Sequence, residues 1–78
     1  MRVGFYRHYK GNLYKVLNIA RRSENLESVV VYQALYDSEA FGNKAIWTRN
    51  MRDFQEKVKI NNELVPRFVF INDPRESN

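Results

Sequence analysis

The stretch Val29-Val30-Val31-Tyr32-Gln33-Ala34-Leu35-Tyr36 decides the fold class. Three consecutive β-branched residues are stiff at χ1, and with the tyrosines that follow they suit a pleated, half-buried surface. Upstream, Leu13 to Ala20 gives another strand, with Tyr14, Val16 and Ala20 on one face and only Asn18 breaking the apolar set. Leu13, Lys15, Leu17 and Ile19 occupy the opposite face, so this strand is expected to be covered on both sides over part of its length. Val3 to Tyr9 reads as the first strand, and Lys10-Gly11-Asn12 as the turn between the two. Arg21 to Ser28 is a polar loop.

Downstream, Asp37 to Lys44 reads as an exposed loop around the turn pair Gly42-Asn43, and Ala45 to Arg49 as a short strand. Asn50 then stands where an N-cap would open a brief helical turn, with Asp53 suited to its positive end. Met51, Phe54 and Val58 give that turn an apolar face. Asn61-Asn62 separates Val58-Lys59-Ile60 from Glu63-Leu64-Val65, and asparagine tolerates the left-handed backbone of a two-residue hairpin. Pro66 demands an edge or a bulge, and Arg67 to Ile71 makes the last strand. The expectation is an all-β domain over residues 1–72, a small barrel or strongly bent sheet of five or six short strands with one short helical turn. Residues 73–78 are expected to fray.

Seventy-eight residues allow one domain, and a chain this short buries only about 60% of its unfolded surface. With no cysteine, no disulfide or thiolate metal ligand compensates, which keeps self-association or a larger partner in view. No stretch is long and apolar enough to span a bilayer, and Arg2, Arg7 and Lys10 interrupt any signal-peptide core, so a cytoplasmic location is expected. The net charge of +4 is unevenly placed: residues 1–22 carry six basic side chains and no acid. The remaining residues carry seven basic and nine acidic ones. A basic opening favours anionic partners.

Several chemistries lack their residues. One histidine and no cysteine leave only scattered carboxylates, so neither a metal site nor a cofactor is expected. The hydroxyls have no nucleophile elbow around them, and three glycines are too few and dispersed for a phosphate loop. His8 titrates near neutrality and is the one candidate base, with Arg7 and Lys10 beside it in sequence to keep it neutral. Glu24 is the acid nearest the basic opening, able to pair with Arg7 or orient His8 if its loop folds back.

Basic and aromatic residues interleave in a second pattern. Tyr6, Tyr9 and Trp47 can stack on bases while Arg7, Lys10, Arg49 and Arg67 neutralise phosphates, the way small barrels hold single strands. Tyr14, Phe54, Phe68 and Phe70 are assigned instead to the core. Trp47 and Arg49 are two apart and share a strand face.

The sequence also resembles a known family. Tyr6-Arg7-His8-Tyr9-Lys10-Gly11, Tyr14-Lys15-Val16-Leu17, and Ala20 with Ser23-Glu24 are similar to successive blocks of the bacterial domain-of-unknown-function family numbered 1653. The later blocks agree: Val31 to Tyr36, Trp47-Thr48-Arg49 followed by Met51 and Phe54, and Pro66-Arg67-Phe68. The resemblance spans residues 4 to about 71 and implies an SH3-like β-barrel with no assigned activity. Two positions depart from the pattern. Arg22 stands where a histidine is common before the Ser/Thr-Glu pair, and Asn50 where a proline often follows the Trp-x-Arg block.

The resulting expectation is a non-enzymatic SH3-like binding module for an anionic partner, with RNA or single-stranded nucleic acid foremost. Its candidate binding residues are Arg7, His8, Tyr9, Lys10, Glu24, Trp47, Arg49 and Arg67. A protein-interaction or homodimerisation module is the alternative. A small-molecule or catalytic site around His8, Arg7 and Glu24 is a third, and it requires those three side chains to converge.

Overall fold

The computed structural model describes residues 1–38 and 42–72, leaving aside the side chains of residues 37, 38, 42 and 43. In chain order these form β1 (Gly4–His8), β2 (Leu13–Arg21), β3 (Ser28–Ala34), β4 (Asp37–Ser38), β5 (Gly42–Asn43) and β6 (Ile46–Asn50). The single helical turn α1 (Met51–Phe54) follows, then β7 (Lys57–Ile60), β8 (Glu63–Pro66) and β9 (Phe68–Asn72). β6-β3-β2-β1-β9 make one antiparallel sheet, and β4–β5 and β7–β8 make two ribbons. The domain is all-β with one short helical turn, as its sequence implies. Asp37–Ser38 and Gly42–Asn43, expected to lie in an exposed loop, pair instead as β4 and β5. The expected frayed tail falls outside the described residues. Among those residues no helix is long and apolar enough to cross a membrane.

The β1–β2 turn closes with the Gly11 N–H donating to the His8 carbonyl at 2.8 Å. Gly11 sits at φ +105°, where a side chain would be strained even though the space is open. At the other hairpin, Asn61 and Asn62 take φ 49° and 66° between the paired residues Ile60 and Glu63, the left-handed pair that a two-residue turn needs. Asn50 precedes α1 but makes no side-chain cap. Its Oδ1 instead accepts from Arg22 Nη2 at 2.9 Å and Nε at 3.3 Å. The two positions that depart from the family pattern are thus hydrogen-bonded to each other.

A bulge corrects the expected faces of β2. Val16 pairs with Tyr32 and Asn18 with Val31, so Leu17 is an extra residue on β2. One inserted residue reverses the alternation beyond it. Ile19 therefore packs against the core and Ala20 is exposed, the opposite of the uninterrupted pattern. The outer face is not covered either: Leu13 and Leu17 are both exposed.

The hydrogen-bonded ladder stays open, with β6 and β9 as its edges, so no closed barrel of strand pairs forms among the described residues. The edges are joined by side chains. Phe54, at the end of the turn that follows β6, stacks on Phe68, the first residue of β9, at 4.0 Å between centroids and 1° between planes. Tyr6 and Tyr32 meet Phe54 edge-on, each at 5.4 Å. The Arg67 N–H adds a backbone bond to the Glu56 carbonyl at 3.1 Å. Tyr6, Val16, Val30, Tyr32, Phe54 and Phe68 form the buried core, with Tyr14, Ile19, Met51 and Phe70 packed against it. Burial raises the Tyr6 hydroxyl pKa, and that hydroxyl donates to the Arg2 carbonyl, so this ring is core rather than a stacking platform.

Candidate functional site

Cross-strand register carries the inner face outward from the core. Directly paired residues of an antiparallel sheet share a face. Tyr6 opposite Tyr14, Tyr14 opposite Ala34, Tyr32 opposite Trp47 and Val30 opposite Arg49 therefore lie on one side. His8, opposite Phe68, belongs to the same side, whereas its neighbour Arg7 points outward. Where the β1–β2 turn approaches the β3–β6 edge, the core gives way to a cavity of about 300 Å³. Tyr14, Tyr32, Ala34, Tyr36, Ala45, Trp47 and Arg49 line it.

Four aromatic residues, two alanines and Arg49 line the cavity, so polar and apolar surface are mixed in it. Tyr14 meets Tyr32 at 5.5 Å and Tyr36 at 5.7 Å, edge-on in both cases. The Tyr14 and Tyr36 hydroxyls are 2.8 Å apart, close enough that one donates to the other. Burial raises the Tyr14 pKa, the hydrogen bond with Tyr36 and the neighbouring tyrosyls raise it further, and Arg49 opposes them. Arg49 is half-buried, and no hydrogen bond or ion pair to the described residues occupies its guanidinium.

His8 stands between this cavity and the β1–β2 turn. Its ring packs against Tyr9 at 4.4 Å, Phe68 at 4.9 Å and Tyr14 at 6.2 Å. Nδ1 accepts the Lys10 N–H at 3.1 Å, which leaves the proton of the neutral ring on Nε2. Burial lowers the His8 pKa, and the charges of Lys10, Arg67 and Arg49 lower it further. Arg67 is mostly buried, with Nε lacking a partner and one Nη 4.0 Å from Glu56. The rim is therefore electropositive; Tyr36 and Trp47 (38% and 37% exposed) line the cavity, and Tyr9 (37% exposed) packs on His8 with the Lys10 ammonium 5.8 Å from its ring centroid.

The model of the family described as "Protein of unknown function (DUF1653)" matches residues 4–70. The chain belongs to this family. The crystal structure of a DUF1653 protein from Bordetella bronchiseptica is similar to it, with 38% identity and a TM-score of 0.81 over 94% of this chain and 90% of that one. No curated protein matches the chain. DUF1653 membership thus brings a shared fold and assigns no activity.

In this DUF1653 member, the structure brings His8, Tyr9, Lys10, Arg49 and Arg67 into one neighbourhood, with Trp47 alongside Arg49 in the cavity wall. Arg7 lies on the outer face, in register with Leu13 and Val69. Glu24 lies in the loop closed by the Arg21–Ser28 pair, at the opposite end of β2 from the His8 turn. Eight residue steps at about 3.3 Å put roughly 26 Å of strand between Leu13 and Arg21. The convergence of Arg7, His8 and Glu24 that a catalytic cluster needs is absent. Sequence reasoning missed Tyr14, Tyr32 and Tyr36 as lining residues. Tyr32, Ala34 and Tyr36 recur at a spacing of two, which was the available signal. What hid them was that a core tyrosine and a cavity tyrosine share one pattern. A larger cavity of about 500 Å³ lies by α1, lined by Glu27, Asp53 and Arg52 among others, where charges of both signs mix.

Proposed function

We propose that this domain is a non-enzymatic module of the bacterial cytoplasm that binds single-stranded nucleic acid, RNA foremost, along the rim of the aromatic cavity. The observation that carries the reading is the gathering of three half-open rings, Tyr9, Tyr36 and Trp47, with Lys10, Arg49 and Arg67 at one end of the sheet. Single strands are held by that combination, stacking for bases and cations for the backbone. Binding rather than catalysis fits His8, whose Nδ1 is engaged by the turn and whose charged neighbours are cations.

The test is fluorescence anisotropy of a labelled oligouridylate, titrated from low to moderate salt. Three neutralised phosphates predict a slope of log K against log salt of about −2, from roughly −0.7 per phosphate on a single strand. No binding at low ionic strength, or binding indifferent to salt, removes the proposal. A second reading rests on a different surface. Leu13, Leu17, Ile46, Val69 and Ile71 are exposed, and pairing places Leu13 and Val69 beside Arg7, and Ile46 beside Gln33, on the outer face. Such a face suits association with a second copy, and light scattering that finds only monomer at high concentration excludes it.

A further inference from the structure

We infer that the cavity takes a single nucleobase, one presenting two adjacent hydrogen-bond acceptors on one edge, and that Arg49 reads that edge; this rests on the nucleic-acid reading above. Three features of the site lead there. The first is shape and lining. A space of about 300 Å³ lies at the small end of ligand pockets, which suits one ring system rather than a length of chain. Tyr14, Tyr32, Tyr36 and Trp47 line it together with Ala34, Ala45 and Arg49. Aromatic faces match the π-face of a base and match a hydrated phosphate poorly.

The second is the pair of hydroxyls. Tyr14 and Tyr36 share one hydrogen across 2.8 Å. Only one O–H can lie between the two oxygens, so the other hydroxyl hydrogen is left for a ligand. The third is Arg49. It lines the cavity with no hydrogen bond to the described residues, and a guanidinium presents parallel donors and no acceptor. Its complement is two neighbouring acceptors in one plane. Guanine offers them as O6 and N7, the commonest specific contact an arginine makes with a base. A splayed-out cytosine offers O2 and N3. Adenine pairs an acceptor with the N6 donor on its Watson–Crick and Hoogsteen edges, and uracil separates its carbonyls by an N–H.

Four rings around a cavity also describe a cage for a quaternary ammonium. The charges decide against it. Arg49 is in the wall, and Lys10, Arg67 and Arg49 all act on His8 beside it. A cation entering this space meets an unfavourable field, whereas an acceptor-bearing edge meets a favourable one.

The experiment measures the affinity of the full chain for an octauridylate and for the same oligomer with one central guanosine, cytidine or adenosine. The inference expects guanosine, cytidine or both to bind about 5- to 150-fold more tightly than octauridylate, the range for one bidentate contact. Adenosine gives no such gain. For a guanosine gain, 7-deazaguanosine and 2-aminopurine lose it and inosine keeps it. Arg49→Lys, which keeps a charge but not the fork, should bring the ratio to octauridylate down to about one, whatever its absolute affinity. Equal binding of all four oligomers, or a preference that survives Arg49→Lys, overturns the inference while leaving the nucleic-acid reading in place. Failure of every oligomer to bind at low salt overturns both.

Discussion

Replacing Phe54 by alanine tests whether the aromatic stack closes what the hydrogen-bonded ladder leaves open. Phe54 is 1% exposed and touches ring partners from three strands, Tyr6 on β1, Tyr32 on β3 and Phe68 on β9. Truncating a buried phenylalanine costs about 3–5 kcal/mol, part transfer and part cavity. Each aromatic pair contributes about 0.5–1.5 kcal/mol beyond area, and the lost pairs place this site at the upper end. At roughly 0.05–0.15 kcal/mol per residue, a chain of 78 residues has only about 4–12 kcal/mol in total. Phe54→Ala should therefore lose between a third and all of its stability. Phe54→Leu, which refills part of the space, should lose roughly 1–2 kcal/mol. Urea unfolding followed by far-UV circular dichroism reads both. Leu64→Ala is the control, since Leu64 is 67% exposed and such a change stays within about 0.5 kcal/mol. Hydrogen exchange adds a local readout: amides of β6 and β9 should open together in Phe54→Leu before those of β2. If Phe54→Ala unfolds no earlier than Leu64→Ala, the stack is not what holds the edges together.

The remaining predictions concern other parts of the chain. Asn62→Gly should raise stability by a few tenths to about 1 kcal/mol, read as a higher urea midpoint, because Asn62 sits at φ 66° where glycine is the preferred second turn residue; a lower midpoint would contradict the turn geometry. His8 has a folded pKa below its usual 6.5, so the unfolded chain takes up the proton first, and stability falls as the pH drops below about 6.5 and levels off beneath the folded pKa. His8→Gln should flatten that part of the pH–stability profile, and an unchanged slope between pH 7.5 and 5 would show that the ring is not held neutral. Arg22→Ala and Asn50→Ala should couple by about 0.5–1 kcal/mol in a double-mutant cycle, given their two hydrogen bonds; simple additivity would mean that the contact carries no stability.

Most of the strands were legible because their signals are local. The β-branched run at Val29–Val31, the Asn61-Asn62 turn and the glycine at position 11 each restrict the backbone by their own chemistry. The β2 bulge was not legible. Leu17 is an ordinary strand residue, and it is extra only because Val31 pairs with Asn18. Partner register is a property of two strands, and one strand's alternation does not contain it. Asn50 fails as an N-cap for a related reason. Its side chain has the right chemistry for the helix, but the fold brings Arg22 within 2.9 Å, and a charged donor outcompetes a backbone N–H. The candidate site divides along the same line. Lys10, Tyr9 and His8 are neighbours in sequence and stay together, whereas Arg7 is lost to the outer face by the two-residue period of β1 itself.

The ligand class turns on the sign of the field more than on the aromatic count. Tyr14, Tyr32, Tyr36 and Trp47 by themselves would serve a cation or a base equally well. The wall also contains Arg49, and the His8 ring beside it feels the charges of Lys10, Arg67 and Arg49. Glu56 lies 4.0 Å from Arg67 and mostly in solvent, where its attraction is weak. Lys10, Arg49 and Arg67 thus all act on the His8 ring, and of the three only Arg67 has an acid at ion-pair distance among the described residues, an arrangement of like charges that costs stability in the unliganded domain. An acceptor-rich partner relieves that cost on binding, so the same residues that make the domain less stable alone supply its affinity for an anion.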